Sequence, residues 1–236
     1  LKISTSLSGY YYKNRYSYED LTAESTSESY SLGSLLVKSL NDHWSVGGFL
    51  DAYSSTYDNI KLVLSPSPAI EYNLFPYSQS TRRQLRFLYK VGYFSVRYRE
   101  ETIYLKTYEN LWNESLSVTL TLKEKWGTIS TTLQGSHYFH DFKKNRLSLY
   151  STLSLQLYKG LNFFIFGGGS RIHDQLYLAR TGASLEEILL RRRALATSYS
   201  YYFSVGLSYT FGSIFTNVVN PRFGSTSSGG ISISID

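Results

Sequence analysis

Over residues 201–211, large apolar and aromatic side chains take every odd position: Tyr201, Phe203, Val205, Leu207, Tyr209 and Phe211. Between them stand Tyr202, Ser204, Gly206, Ser208 and Thr210. Successive side chains of a β-strand point to opposite faces, so this period of two predicts a strand with one apolar and one polar face. The pattern recurs along the chain. Leu147, Leu149, Leu153, Leu155 and Leu157 alternate with Ser148, Tyr150, Thr152, Ser154 and Gln156. Leu116, Val118, Leu120 and Leu122 stand opposite Ser117, Thr119, Thr121 and Lys123. Leu1, Ile3 and Leu7 alternate with Lys2, Ser4, Ser6 and Ser8, and Thr128, Ser130, Thr132, Gln134 and Ser136 form another polar set.

The alternation predicts about ten strands, at 1–13, 28–40, 44–54, 61–75, 82–98, 111–125, 128–140, 146–158, 161–174 and 198–211. Most are longer than the ~5–6 residues usual in globular sheets, and longer than the about 9–11 that a tilted strand needs to cross hydrocarbon. Their connections also alternate. Asn41-Asp42, Pro76 to Thr81, Trp126-Gly127 and Lys159-Gly160 are short, while Asn14 to Ser27, Arg99 to Asn110 and Gln175 to Thr197 are long and charged, with Tyr53 to Ile60 and Asp141 to Asn145 of middling length. Tight turns on one side and loops on the other are expected of an up-and-down barrel, whereas a Greek-key sandwich has no reason to sort its connections.

The apolar faces must meet either a protein core or lipid. A sandwich exposes its polar face to bulk water and tends to carry Lys and Glu there. Here that face is mostly Ser, Thr, Gly and Tyr, as expected around an enclosed, wet interior. The mean hydropathy of −0.23 does not count against a membrane, because only alternate residues of a barrel strand face lipid. No run of about 18 apolar residues occurs, which excludes a transmembrane helix. The 23 Tyr suit a boundary between apolar and wet surroundings, and Trp44, Trp112 and Trp126 fall near predicted strand ends, where an interfacial girdle places such rings. With no Cys, disulfides and thiolate metal sites are ruled out. The net charge of +6 fits attraction to phosphates, of nucleic acid or of lipid head groups, and ordinary solubility equally well.

Two stretches break the pattern. Pro66 and Pro68 lie inside a predicted strand, and proline cannot donate to a ladder, so a bulge or an early end of pairing is expected there. Ser184 and Glu187 form a capping box before Leu185, Ile188, Leu189 and Leu195, which predicts a short helix in the last long loop. Beyond Gly212 the regularity stops, and residues 213–236 read as an irregular tail.

Ser204, Gly206, Tyr209 and Phe211 resemble the barrel insertion signal of Gram-negative outer-membrane β-barrel proteins: a polar residue, then glycine, then two alternate aromatic positions. The layout of residues 1–212 is similar to the small, about ten-stranded class of that family. The family signal usually closes the chain, so residues 213–236 are expected to form a periplasmic C-terminal tail. The resemblance implies a bacterial outer-membrane location, contact with outer-membrane lipid and lipopolysaccharide, and recognition by the barrel-insertion machinery during biogenesis. It also allows an envelope protein partner.

About ten strands enclose an interior barely wider than the eight-stranded case that side chains fill. Strand parity sends Asp51, Glu71, Arg86, Lys90 and Lys123 inward, lining either a narrow charged passage or, as barrel size favours, a salt-bridged plug. His140-Asp141 and His173-Asp174 stand at loop-side strand ends. Ten-stranded outer-membrane proteases carry His and Asp at that rim, so an omptin-like hydrolase is an alternative, with His140 and Asp174 as a cross-strand pair. Neighbouring strand residues face opposite ways, so neither dipeptide is itself a dyad. Arg191, Arg192 and Arg193 can meet lipopolysaccharide phosphates or pair with Glu186 and Glu187 on a solvated helix, the simpler account. Gly167-Gly168-Gly169 lacks the strand-to-helix setting of a phosphate loop, and close packing beside lumen Tyr or Phe explains it better. No metal or cofactor is indicated, and no nucleic-acid motif accompanies the arginines. The expectation is a closed, all-β, up-and-down antiparallel transmembrane barrel. Its role is non-catalytic, structural or a narrow porin-like passage. A soluble all-β binding protein is the third reading.

Overall fold

The structure is a computed structural model that describes residues 1–18, 21–181 and 194–209, with no side-chain account of residues 14, 16–18 and 21–25. Ten strands follow one another: β1 (Lys2–Tyr18), β2 (Leu21–Ser39), β3 (Trp44–Ser55), β4 (Ile60–Asn73), β5 (Arg83–Tyr98), β6 (Tyr108–Glu124), β7 (Gly127–Tyr138), β8 (Asp141–Tyr158), β9 (Leu161–Ile172) and β10 (Tyr199–Tyr209). Each pairs antiparallel with its chain neighbours, in the order β1 through β10. The described residues are therefore all-β, with ten up-and-down antiparallel strands. Among the described residues no rung joins β1 to β10. Leu1 to Lys13 are exposed on both faces, and so is β10 apart from Ser204 and Gly206.

Register carries strand parity across the whole sheet. Ser4, Leu35, Phe49, Ser67, Gly92, Asn113, Tyr138 and their alternates share one face, and Ile3, Leu36, Gly48, Pro68, Val91 and Glu114 share the other. The first face holds Ser65, Ser67, Ser115 and Ser148, all buried. The second shows Leu50, Leu116, Leu133, Leu147, Leu149 and Leu207 to the outside. One sheet without a second layer can bury serines only by wrapping around them. The hydroxyl face is therefore concave and the apolar face convex.

On the concave face, hydroxyls pair across strands: Thr119 with Thr132 at 3.0 Å, Ser148 with Ser170 at 2.8 Å, and Ser8 with Ser31 at 2.6 Å. Each pair satisfies groups that would otherwise be costly to bury. Hydroxyls on the convex face are matched too, Thr131 with Ser151 at 2.8 Å and Thr5 with Ser34 at 3.2 Å.

Pro66 and Pro68 produce no bulge, and pairing is interrupted on one side of β4 only. Pairing with β3 runs through Gly48↔Pro68 and Leu50↔Pro66. Pairing with β5 lapses between Leu64↔Ser95 and Ala69↔Lys90 and resumes in the same register. Residues of equal parity direct their backbone N–H groups to the same neighbour, so both missing donors fall on the β5 side. Two hairpins of the meander also differ from expectation. Instead of leaving a loop from Asn14 to Ser27, β1 and β2 continue as one long hairpin to Tyr18 and Leu21. Asp141 to Asn145 likewise belong to β8. The helix expected from Ser184 lies outside the described residues, as do Phe211 and the tail 213–236, while Ala194 to Thr197 are irregular.

Candidate functional site

Asp51, Glu71, Arg86, Lys90 and Lys123 all fall on the concave face by register. Arg86 Nη1 lies 3.7 Å from Glu71 Oε2, diagonally across the β4–β5 pair, with both side chains part-exposed. Four residues along β5, the Lys90 ammonium sits over the Phe49 ring, 4.9 Å from its centroid, where the ring's negative face offsets lost hydration. Asp51 Oδ1 stands beside Gly33, where a Cβ would approach it to 3.2 Å. Lys123 is exposed near the β6–β7 turn, away from that cluster. The concave wall thus carries charges of both signs, with Arg86 compensated by Glu71.

The loop end of this wall is filled. Val96, Tyr98 and Leu111 face inward and are buried, and the Tyr98 hydroxyl bonds to the Glu109 carboxylate. Above them three connections knit into a cap. Asn59 sits in the left-handed region at φ 57° between β3 and β4. Its Nδ2 donates to the carbonyls of Glu100 and Tyr177, both at 3.1 Å, and its Oδ1 accepts from Glu100 N–H at 2.8 Å. Thr102 is fully buried and bridges Ala179, flanked by Ile103 N–H to Leu178 O and Arg180 N–H to Glu101 O. Arg180 and Glu101 add an ion pair at 2.8 Å, and Leu176 and Leu178 are buried beneath. Burial pushes the Tyr177 phenol above its ordinary range, so it stays protonated as a neutral wall group. A cleft of about 320 Å³ opens between Asn59, Arg99, Ile103 and Leu178.

The His and Asp residues at the rim do not assemble as a catalytic pair. The carboxylate of Asp174 is gripped by Arg146, with Nη2 at 2.8 Å and Nε at 3.0 Å from both oxygens. His140 packs against Tyr138 with the two rings tilted by 45°. His173 accepts from Arg171 Nε at 3.1 Å, and Asp141 Oδ1 caps the Lys143 N–H. A general base needs its partner within hydrogen-bond reach, and Arg146 occupies the partner offered to His140. Among the described residues no group of three or more His, Cys, Asp or Glu could hold a metal ion.

Gly168 faces inward, and a Cβ there would come within 2.7 Å of the Tyr150 ring, so close packing against a lumen tyrosine accounts for it. Gly206 lies under Phe164, whose ring would meet a Cβ at 2.1 Å. Ser204 and Gly206 point to the concave side and Tyr209 to the convex. Arg191, Arg192 and Arg193 lie outside the described residues.

One polar group on the convex face was not singled out from sequence. Glu114 and His137 pair at 2.7 Å, Tyr89 donates to the same carboxylate, and the rings of Phe142 and Phe139 flank the imidazole. The signal was available, because Glu114 holds the same parity as Trp112 and Leu116.

No family model matches the sequence, and no curated protein matches it. Among solved structures, a crystal structure of the NanC porin is similar, at a TM-score of 0.46 and 11% identity, over 88% of this chain and 99% of that one.

Proposed function

We propose that the chain is an integral outer-membrane β-barrel protein whose convex face meets lipid and whose role is structural or that of a narrow, porin-like passage. One observation carries this reading: burial is inverted. Ser115 is 7% exposed while Leu116, the next residue, is 47% exposed. In water such a fold would leave its leucines bare and spend its interior on hydroxyls, against the direction of the hydrophobic effect. In lipid the arrangement is the favourable one, because acyl chains cover the apolar face.

The same setting calls for β1 and β10 to pair. Each unmade backbone hydrogen bond costs several kcal/mol in hydrocarbon, so an open seam cannot persist there. With ten strands the two run antiparallel, and the residues on their concave faces, Ser4, Ser6 and Ser8 and then Ser200, Ser204 and Ser208, are chemically alike. Val96, Tyr98 and Leu111 beneath the loop cap favour a plugged lumen over an open one. Ser204, Gly206, Tyr209 and Phe211 would serve the insertion machinery. Lipopolysaccharide is the partner proposed for the outer rim.

Refolding into phosphatidylcholine vesicles, read by heat-modifiable gel mobility, tests the reading. Folded protein that partitions into vesicles and migrates faster before boiling supports it. Folded protein that stays soluble without detergent overturns it.

A further inference from the structure

On the convex faces of β4 and β10, bulky residues follow one another, and β1, β3 and β7 each interrupt theirs with one internal glycine at Gly9, Gly48 and Gly135. Among the described strands β9 alone sets two in succession: after Phe163 and Ile165 come Gly167 and Gly169, then Arg171. The neighbouring convex position on β8 is Ser151, whose hydroxyl is already bonded to Thr131 at 2.8 Å. The result is a groove of about 360 Å³, walled by Leu149, Leu153, Ile165 and Phe203.

Packing explains only part of it. A Cβ at Gly167 would come within 2.8 Å of the Tyr202 carbonyl, so the fold requires glycine there. A Cβ at Gly169 would meet nothing closer than 3.6 Å, so the fold does not. Glycine in a strand interior is destabilising and often marks close approach by a ligand or another backbone. From Leu161 to Arg171, β9 spans the about 9–11 residues that carry a tilted strand across hydrocarbon, which sets Arg171 at headgroup level on the loop side. Its Nε is engaged by His173, which leaves most of the guanidinium's five donors for another acceptor.

We propose that this groove seats one acyl chain of a phosphate-headed lipid, with the phosphate taken by Arg171. Apolar walls with a satisfied hydroxyl floor suit a chain, and a guanidinium suits a phosphate. The assignment rests on the membrane reading above.

The test is native mass spectrometry of protein released from dodecylmaltoside micelles containing palmitoyl-oleoyl phosphatidylglycerol, repeated with a diacylglycerol of the same chains. Wild type should retain one phospholipid and no diacylglycerol. Gly169→Leu, which fills the groove, and Arg171→Gln should each lower retention by about tenfold, the scale of one charge-assisted contact. Gly48→Leu, on the same face but distant, should not. Heat-modifiable mobility confirms that each variant is folded. Retention by Gly169→Leu equal to wild type, or equal retention of diacylglycerol, overturns the groove assignment and leaves the membrane reading intact. Failure of wild type to enter vesicles overturns the membrane reading itself.

Discussion

Ser148 is 4% exposed and Leu149, the next residue along β8, is 48% exposed. The serine hydroxyl lies 2.8 Å from that of Ser170 on the concave side, while the leucine shares its convex row with Leu133 and Gly169. A soluble sheet reverses this order, and the contrast leads to several measurable expectations.

A charge placed in the middle of the convex face should be costly in bilayers. Leu120→Arg should lower the unfolding free energy in phosphatidylcholine vesicles by about 2–4 kcal/mol, the penalty for Arg at a barrel's midplane. Urea titration of vesicle-refolded protein measures it. The concave neighbour Thr119→Ser should change stability by well under half that amount.

Arg146 and Asp174 form an ion pair with three hydrogen-bond contacts at the rim, and the Asp174 side chain is 15% exposed. Arg146→Ala leaves that carboxylate without its partner and should cost about 1–3 kcal/mol by the same titration. Replacing both, as Arg146→Ala with Asp174→Ala, should recover part of the loss, since no orphaned charge remains.

Asn59 ties three connections together through three side-chain bonds. Asn59→Ala removes those bonds and forces alanine to a φ of 57°, whereas Asn59→Gly relieves only the backbone strain. Both should loosen the cap. Amide exchange at Ile103 and Arg180 should accelerate by about tenfold or more, with Asn59→Ala the worse of the two. In planar bilayers the wild type should give no steady current, and Asn59→Ala should give small steps.

Closure of the barrel makes a separate prediction. Alternate β1 amides bond to β2, and the others face the seam. In vesicles both sets should be protected from exchange. Rapid exchange of every second amide between Lys2 and Lys13 would show the seam open.

The strands were readable because alternation is local. Leu147 to Leu157 declares its two faces without reference to any other segment, and the convex tyrosines and leucines of β10 do the same. Charges such as Glu71 and Arg86 share a face for the same reason, although nothing local showed that they stand 3.7 Å apart. What escaped depends on distant partners. The cap requires Asn59 to meet Glu100 and Tyr177, and the rim requires Arg146, rather than a histidine, to reach Asp174. The β1–β2 hairpin outran its expected end because a charged, polar stretch from Asn14 to Ser27 carries no apolar period, yet its backbone still pairs. Pro66 and Pro68 show in sequence that two donors are missing, but only the pairing with β3 and β5 decides the side on which the lack falls.

Site-directed labelling tests the orientation of the wall most directly, and the absence of native cysteines makes single-cysteine variants clean. Cysteines introduced one at a time from Leu116 to Leu122, carrying an environment-sensitive fluorophore, would be read in vesicles of brominated lipid. Strong quenching at Leu116, Val118, Leu120 and Leu122, with little at Ser117, Thr119 and Thr121, is the predicted result. Quenching with no period of two, or strongest at the serine and threonine positions, would contradict a leucine face turned toward lipid.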